Sequence, residues 1–393
     1  MAYPARIDLA RVDFARTLVA TALLALAATT ARAELFVSVQ DGKQMLVAGA
    51  TKIVAGTDML SLLELKNGRL AVVAEVPVPA SVIGPPTSLA ITPGGALALV
   101  AAGFKRDPAD AGKVVADDTL SVVDLQSRPP RVVDTLQVGK GAAGVSINPA
   151  GTLALVANHE EGTVSVLTIA GGTVTVAGKL DLGEPKSGPM HVAITPDGQR
   201  ALVSRDGDHK VTLLDIGADG AVTLAQRDLF PGQRPDCIDI RAQGDLAVVA
   251  NIGRGQGDSD TVSLVDLSVQ PPRVIDTVSV GQTPESAFFL PGGRYVGVNV
   301  MAGSNKPAAS PFHQPGGQFV LLRVQGKRLV KVASTAIGVW PQGMAFSADG
   351  RHALVQNTGD RNIQLLRIRG EKLADTGQRL AFQGALASLQ RVR

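Results

Sequence analysis

Residues 145–176 read VSINPAGTLALVANHEEGTVSVLTIAGGTVTV, and this stretch decides the fold. Val145-Ser146-Ile147 leads into Pro149-Ala150-Gly151, and Thr152 to Ala157 leaves that turn as a mostly apolar run of strand length. Thr163 to Ile169 then alternates small polar with β-branched or aliphatic residues, and Val174-Thr175-Val176 follows Gly171-Gly172. β-branched residues suit a pleated, half-buried surface, and Pro and Gly punctuate between strands. The stretch therefore predicts four short antiparallel strands in succession. No segment shows a comparably convincing helical period.

The same turn recurs along the chain. Copies stand at Pro93-Gly94-Gly95, Pro149-Ala150-Gly151, Pro196-Asp197-Gly198 and Pro291-Gly292-Gly293, with weaker versions at Gln40-Asp41-Gly42, Ala242-Gln243-Gly244 and Ala348-Asp349-Gly350. That gives seven, with the final Gly spaced by 46 to 57 residues, the range of propeller blades that carry loop insertions. One blade cannot bury both faces, so seven must stack around an axis. The ends are complementary: Gly384 to Gln390 resembles a first strand without its own turn, and Leu35-Phe36-Val37-Ser38-Val39 runs directly into Asp41-Gly42. The expectation is an all-β, seven-bladed β-propeller whose N- and C-terminal strands close one shared blade, leaving no free sheet edge.

Residues 1–33 read as an export signal. Arg6, Arg11 and Arg16 precede an uncharged run from Thr17 to Thr30, and Ala31-Arg32-Ala33 supplies a small-x-small cleavage pattern. The run is short for a membrane span, and no comparable stretch follows it. This predicts a periplasmic or secreted protein with one propeller domain over residues 34–393 and no membrane span in the mature chain. The leader holds four Arg and two Asp, so of the formal +3 about +1 stays with the mature chain, giving no general electrostatic reason to bind nucleic acid. The lone Cys237 excludes an intramolecular disulfide framework and multi-cysteine metal sites. Five scattered His residues show no metal-ligand spacing, and nothing identifies a cofactor.

Leu155-Val156-Ala157-Asn158, Val248-Val249-Ala250-Asn251 and Leu354-Val355-Gln356-Asn357 each end a second strand and precede a polar loop. They resemble the YVTN repeat of lactonase-like propellers. Blade four departs with Leu202-Val203-Ser204-Arg205, blade six has Val296-Gly297-Val298-Asn299, and the first two blades lack the Asn. A residue that recurs blade after blade fits scaffolding, so these amides are expected to cap tight connections.

The large insertions Ala102 to Asp117, Ile252 to Asp260 and Met301 to Gly317 all fall between second and third strands, so they should share one face and wall a central funnel. Residues at the start of the innermost strands lie nearest the axis. Among mostly bland ones, His191, Arg234 with Asp236, Glu285, and Trp340 with Gln342 stand out, and His159 lies in a nearby polar loop. The resemblance implies a lactonase-type His, Arg and Glu set: His191 and Glu285 as acid or base and Arg234 as oxyanion stabiliser, with Asp236, Trp340, Gln342 and His159 as substrate-binding candidates. One departure is that Gly188-Pro189-Met190-His191 has Met where such blades often carry Arg.

Three functions follow. The preferred one is a propeller that binds a small molecule or a partner protein at the looped face, expected as a monomer. The second is a hydrolase of cyclic esters, and the third an accessory subunit of a periplasmic redox system.

Overall fold

The computed structural model describes Met1, Ala2 and residues 33–393. The predicted export signal lies almost wholly outside the described residues. Residues 33–393 form one compact unit. It consists of seven four-stranded antiparallel sheets and one two-stranded hairpin. Blades two to seven are each contiguous in sequence, with innermost strands Leu89–Ile91, Ala142–Ile147, Pro189–Ile194, Pro235–Ile240, Pro284–Phe289 and Pro341–Phe346. Blade one takes its innermost strand, Ala385–Arg391, from the C-terminal end of the chain and pairs it with Glu34–Asp41, which pairs onward with Met59–Lys66. Among the described residues there are no helices, and none could cross a membrane as a long apolar helix.

Adjacent blades hold the core between them. Leu99, Leu120 and Val122 of blade two pack on Val145, Val156 and Leu167 of blade three. Fully burying a Leu or Val side chain contributes about 1.5–3 kcal/mol, and this repeats at every joint. The narrow-face turns also stack: the φ of Gly95, Gly151, Gly198, Gly244, Gly293 and Gly350 lies between 65° and 76°, the left-handed region that glycine enters without a Cβ clash. A Cβ on Gly151 would lie 3.2 Å from Pro93 Cδ, and one on Gly350 3.6 Å from Pro291 Cδ, so each turn rests on its predecessor.

That makes six such turns. Gln40-Asp41-Gly42, read as a seventh, sits at the opposite end of its strand, after the second strand of blade one. Where the seventh turn would be, the ring is closed by the chain ends, with Val392 against Gly95. Asp41 mimics a turn signal because its carboxylate accepts Lys43 N at 2.8 Å and Gln44 N at 3.0 Å, a local turn of another kind. The chain after it forms an insertion missed in the sequence, the hairpin Gln44–Val47 with Ala50–Ile53. A second correction concerns Ala102 to Asp117. It is mostly a ladder: Leu97–Arg106 and Val114–Asp124 stay paired as far as Arg106 opposite Val114. Phe104-Lys105-Arg106 and Val114-Val115-Ala116 extend the two strands past the blade. Each insertion joins a second strand to a third, which puts them on one face, and they touch there: Arg106 donates to Val54 O, and Gly49 lies against Pro307.

Asn158 Oδ1 accepts Gly139 N at 3.2 Å while its Nδ2 donates to Thr163 Oγ1 and Ser165 Oγ, both at 2.9 Å. Asn251 and Asn357 occupy the same register: Asn251 Nδ2 donates to Thr261 Oγ1 and Ser263 Oγ, and Asn357 accepts Gly338 N and donates to Asn362 Oδ1, while Arg205 takes that place in blade four, reaching Leu182 O and Thr212 Oγ1. Asn299 is one residue out of register, because Val300 rather than Asn299 pairs with the strand's first residue. It faces the next blade and donates to Gln342 O and Gly343 O at 3.0 and 3.2 Å. Asn158→Ala should cost about 2–3 kcal/mol, because it strands buried partners. Thermal unfolding checks this, and an unchanged midpoint would refute the scaffolding role.

Candidate functional site in the central funnel

Blades four to seven begin their innermost strands with one repeated unit: Gly188-Pro189-Met190, Arg234-Pro235-Asp236, Thr283-Pro284-Glu285 and Trp340-Pro341-Gln342. The residue before each Pro has φ of 60°, 53°, 56° and 50° in turn. Its carbonyl accepts the N–H of the residue just past the second strand: Asp206 to Gly188 at 3.0 Å, and Ile252 to Arg234, Met301 to Thr283 and Thr358 to Trp340 at 2.9 Å. Gly188 adopts this geometry freely. Arg234, Thr283 and Trp340 pay strain of about 1–3 kcal/mol each, and Thr, being β-branched, is a true outlier there. Three consecutive blades thus hold strained side chains at the same level.

These residues line a cavity of about 330 Å³, together with Met190, Asp236, Glu285 and Gln342 from the positions after each Pro. Arg254 and Lys306 enter from two insertions, and Val82, Ile83 and Gly84 from the connection into blade two. Gln342 Nε2 straps that connection down by donating to Val82 O at 3.1 Å and Gly84 O at 2.9 Å. From the other side, Asp41 Oδ2 accepts Val82 N at 2.9 Å, and Asp41 and Asp58 flank the buried Lys43 ammonium at 3.3 and 2.9 Å.

Asp236 and Glu285 stand on neighbouring blades and are 1% and 7% exposed. Burial pushes the Glu285 carboxyl up to about 8, with Arg234 opposing. Asp236 is also held well above the ordinary carboxylate range, by burial first and then by the charges of Glu285 and Asp206. The pair therefore keeps at least one proton at neutral pH, the condition for a carboxyl that both donates and accepts.

Arg234 is fixed from behind. Its Nη2 and Nε reach Asp206 Oδ2 at 2.7 and 3.2 Å, and Nη1 donates to Gly253 O at 3.3 Å. Asp206 Oδ1 lies 3.3 Å from His159 Nε2, and His159 Nδ1 lies 2.9 Å from Glu160 Oε1. Burial pushes the His159 imidazole down, but hydrogen bonds to Asp206 and Glu160 outweigh it and raise its pKa. Burial likewise pushes Asp206 up, and His159 and Arg234 bring it below its ordinary value.

Of the sequence-predicted residues, Arg234, Asp236, Glu285, Trp340 and Gln342 meet in the cavity. His159 stands behind it, joined through Asp206. His191 packs in the wall instead: it is 6% exposed, and its Nδ1 accepts Ile238 N–H at 3.0 Å. Burial lowers its pKa to about 3, leaving it neutral with the proton on Nε2. Gly144 makes room, since a Cβ there would lie 2.9 Å from His191 Cδ2. Sequence reasoning missed Thr283, Arg254, Lys306 and Asp206. Thr283 could have been found by aligning the x-Pro-x units.

No protein-family model and no curated protein matches the chain. Solved structures do. A proposed 6-phosphogluconolactonase from Bacteroides fragilis superposes with TM-score 0.71 at 17% identity, over 93% of this chain and 99% of its own. One from Bacteroides uniformis gives 0.70 at 15%, over 91% and 99%. A periplasmic gluconolactonase from Pseudomonas aeruginosa gives 0.63 at 18%, over 91% and 99%. At such identities the likeness is one of architecture: the chain has the seven-bladed propeller fold of these lactonase-like proteins.

Proposed function

We propose that the chain is an exported propeller that binds a small polar molecule in its funnel. The carrying observation is the convergence of Arg234, Asp236, Glu285, Trp340 and Gln342 on one concave cavity, with strained backbone at Arg234 and Trp340. Export rests on the leader pattern of residues 1–33 and accords with the periplasmic neighbour.

A second reading, hydrolysis of a cyclic ester, is favoured by the acid pair beside Arg234. A general base works best with a pKa near the operating pH, and burial puts Glu285 there. In that reading Glu285 activates water and Arg234 stabilises the developing oxyanion, while His191 supports the wall.

Trp340 is the only tryptophan of the chain, so its fluorescence reports the cavity directly. Adding five- and six-membered lactones and their open acids should shift its emission for at least one compound. Turnover that falls by about a hundredfold or more in Glu285→Gln would select the hydrolase reading. An emission shift without turnover would select binding, and no response to any compound would sink both.

A further inference from the structure

Among the described residues, two of the cations lining the funnel have no ion-pair partner, and the carboxylate standing next to them, Asp260, accepts Thr283 N–H at 2.8 Å. Arg234 is matched by Asp206, and the buried Asp236–Glu285 pair, keeping at least one proton, carries at most one negative charge. Arg254 and Lys306 also line the cavity, on separate insertions, and neither has a carboxylate within 4.0 Å among the described residues. Lys306 stands close over the backbone beside Arg254. A Cβ on Gly255 would lie 3.8 Å from Lys306 Nζ and 3.4 Å from Thr283 Oγ1, so an ammonium and a hydroxyl border the same small space. Two further lining groups have no hydrogen bond within the protein: the indole N–H of Trp340, 7% exposed, and Oδ1 of Asp236, 1% exposed. Buried polar atoms are nearly always paired, so each of these two calls for an oxygen from outside the protein, of water or of a ligand.

We infer that the funnel takes a small organic anion of charge −1 or −2 whose anionic oxygens sit between Arg254, Lys306 and Thr283. Its uncharged oxygens reach Trp340 Nε1 and the Asp236–Glu285 pair. Charge-assisted hydrogen bonds are the strong kind, and Arg and Lys bind either a carboxylate or a phosphate ester. A neutral ligand would leave both cations unused. The inference rests on the funnel being a binding site and adds which chemistry it selects.

The test is a Trp340 fluorescence titration of the full chain with malate, glycerol 3-phosphate and xylitol as carboxylate, phosphate and neutral probes. Malate or glycerol phosphate should shift the emission and xylitol should not, and whichever binds names the anionic group. Lys306→Gln and Arg254→Gln should each weaken that binding about tenfold, and Lys306→Arg should restore most of it. Both positions lie outside the core, and an unchanged melting temperature verifies the fold. Binding of xylitol, or anion binding indifferent to both substitutions, overturns the anion inference while leaving the funnel a binding site. Silence from all three probes, with a response to lactones, overturns the inference alone; silence from lactones too overturns both.

Discussion

Removing residues 384–393 should abolish cooperative unfolding of the whole propeller. The deletion takes away the innermost strand of blade one, Ala385–Arg391, in which Leu386 is 0% and Leu389 5% exposed. Those two leucines alone contribute about 3–6 kcal/mol of burial, comparable to the 5–15 kcal/mol total stability of ordinary domains. The loss spreads to both neighbours. Gln356 of blade seven donates to Ser388 O and Thr358 to Leu386 O, and Ser388 Oγ donates to Pro86 O at the entry to blade two. Circular dichroism melts of the shortened and full chains measure this. A transition kept at the same midpoint would mean that the ring does not depend on its closing strand.

The acid pair should make the protein less stable as pH rises, and Glu285→Gln should cure it. The folded protein raises Glu285 from 4.5 to about 8, so its contribution is fully present below 4.5 and is lost as pH climbs to about 8. At about 1.4 kcal/mol per pH unit the loss has a ceiling of roughly 5 kcal/mol, and Gln, which cannot ionise, avoids it. The variant should match the parent near pH 4.5 and exceed it at pH 8.5 by about 2–3 kcal/mol, several degrees in melting temperature. Equal differences at both pH values would show that the pair is hydrated rather than buried. Asp236→Asn should act in the same direction.

The ring was legible because its signals are local and repeated: a turn glycine at φ near 70° recurs in six of the seven blades, and blades two to seven are each built from short strands close together in sequence. Reading failed where one residue type serves two geometries. Asp41-Gly42 carries turn chemistry at the wrong end of a strand, and Asn299 carries repeat chemistry one residue out of register. The site shows the same rule. Met190, not His191, occupies the position of Asp236, Glu285 and Gln342, and successive strand residues point to opposite faces. One step along the chain thus moves an imidazole from the funnel to the wall. The Arg234–Asp206 pair joins different blades, and no local pattern announces it.

The closing strand is also the last part of the ring to be synthesised. Blades two to seven can each complete themselves from contiguous chain as it emerges. Blade one cannot, since its other strands end at Pro77 and the missing one begins at Ala385, about 300 residues later. At 5–20 residues per second the wait is on the order of 15–60 s. Throughout it Glu34–Asp41 carries an unpaired strand edge, the kind other chains pair with. The earliest-made blade is the last finished, and that interval is the clock against which any factor that shields or moves the unfolded chain must work.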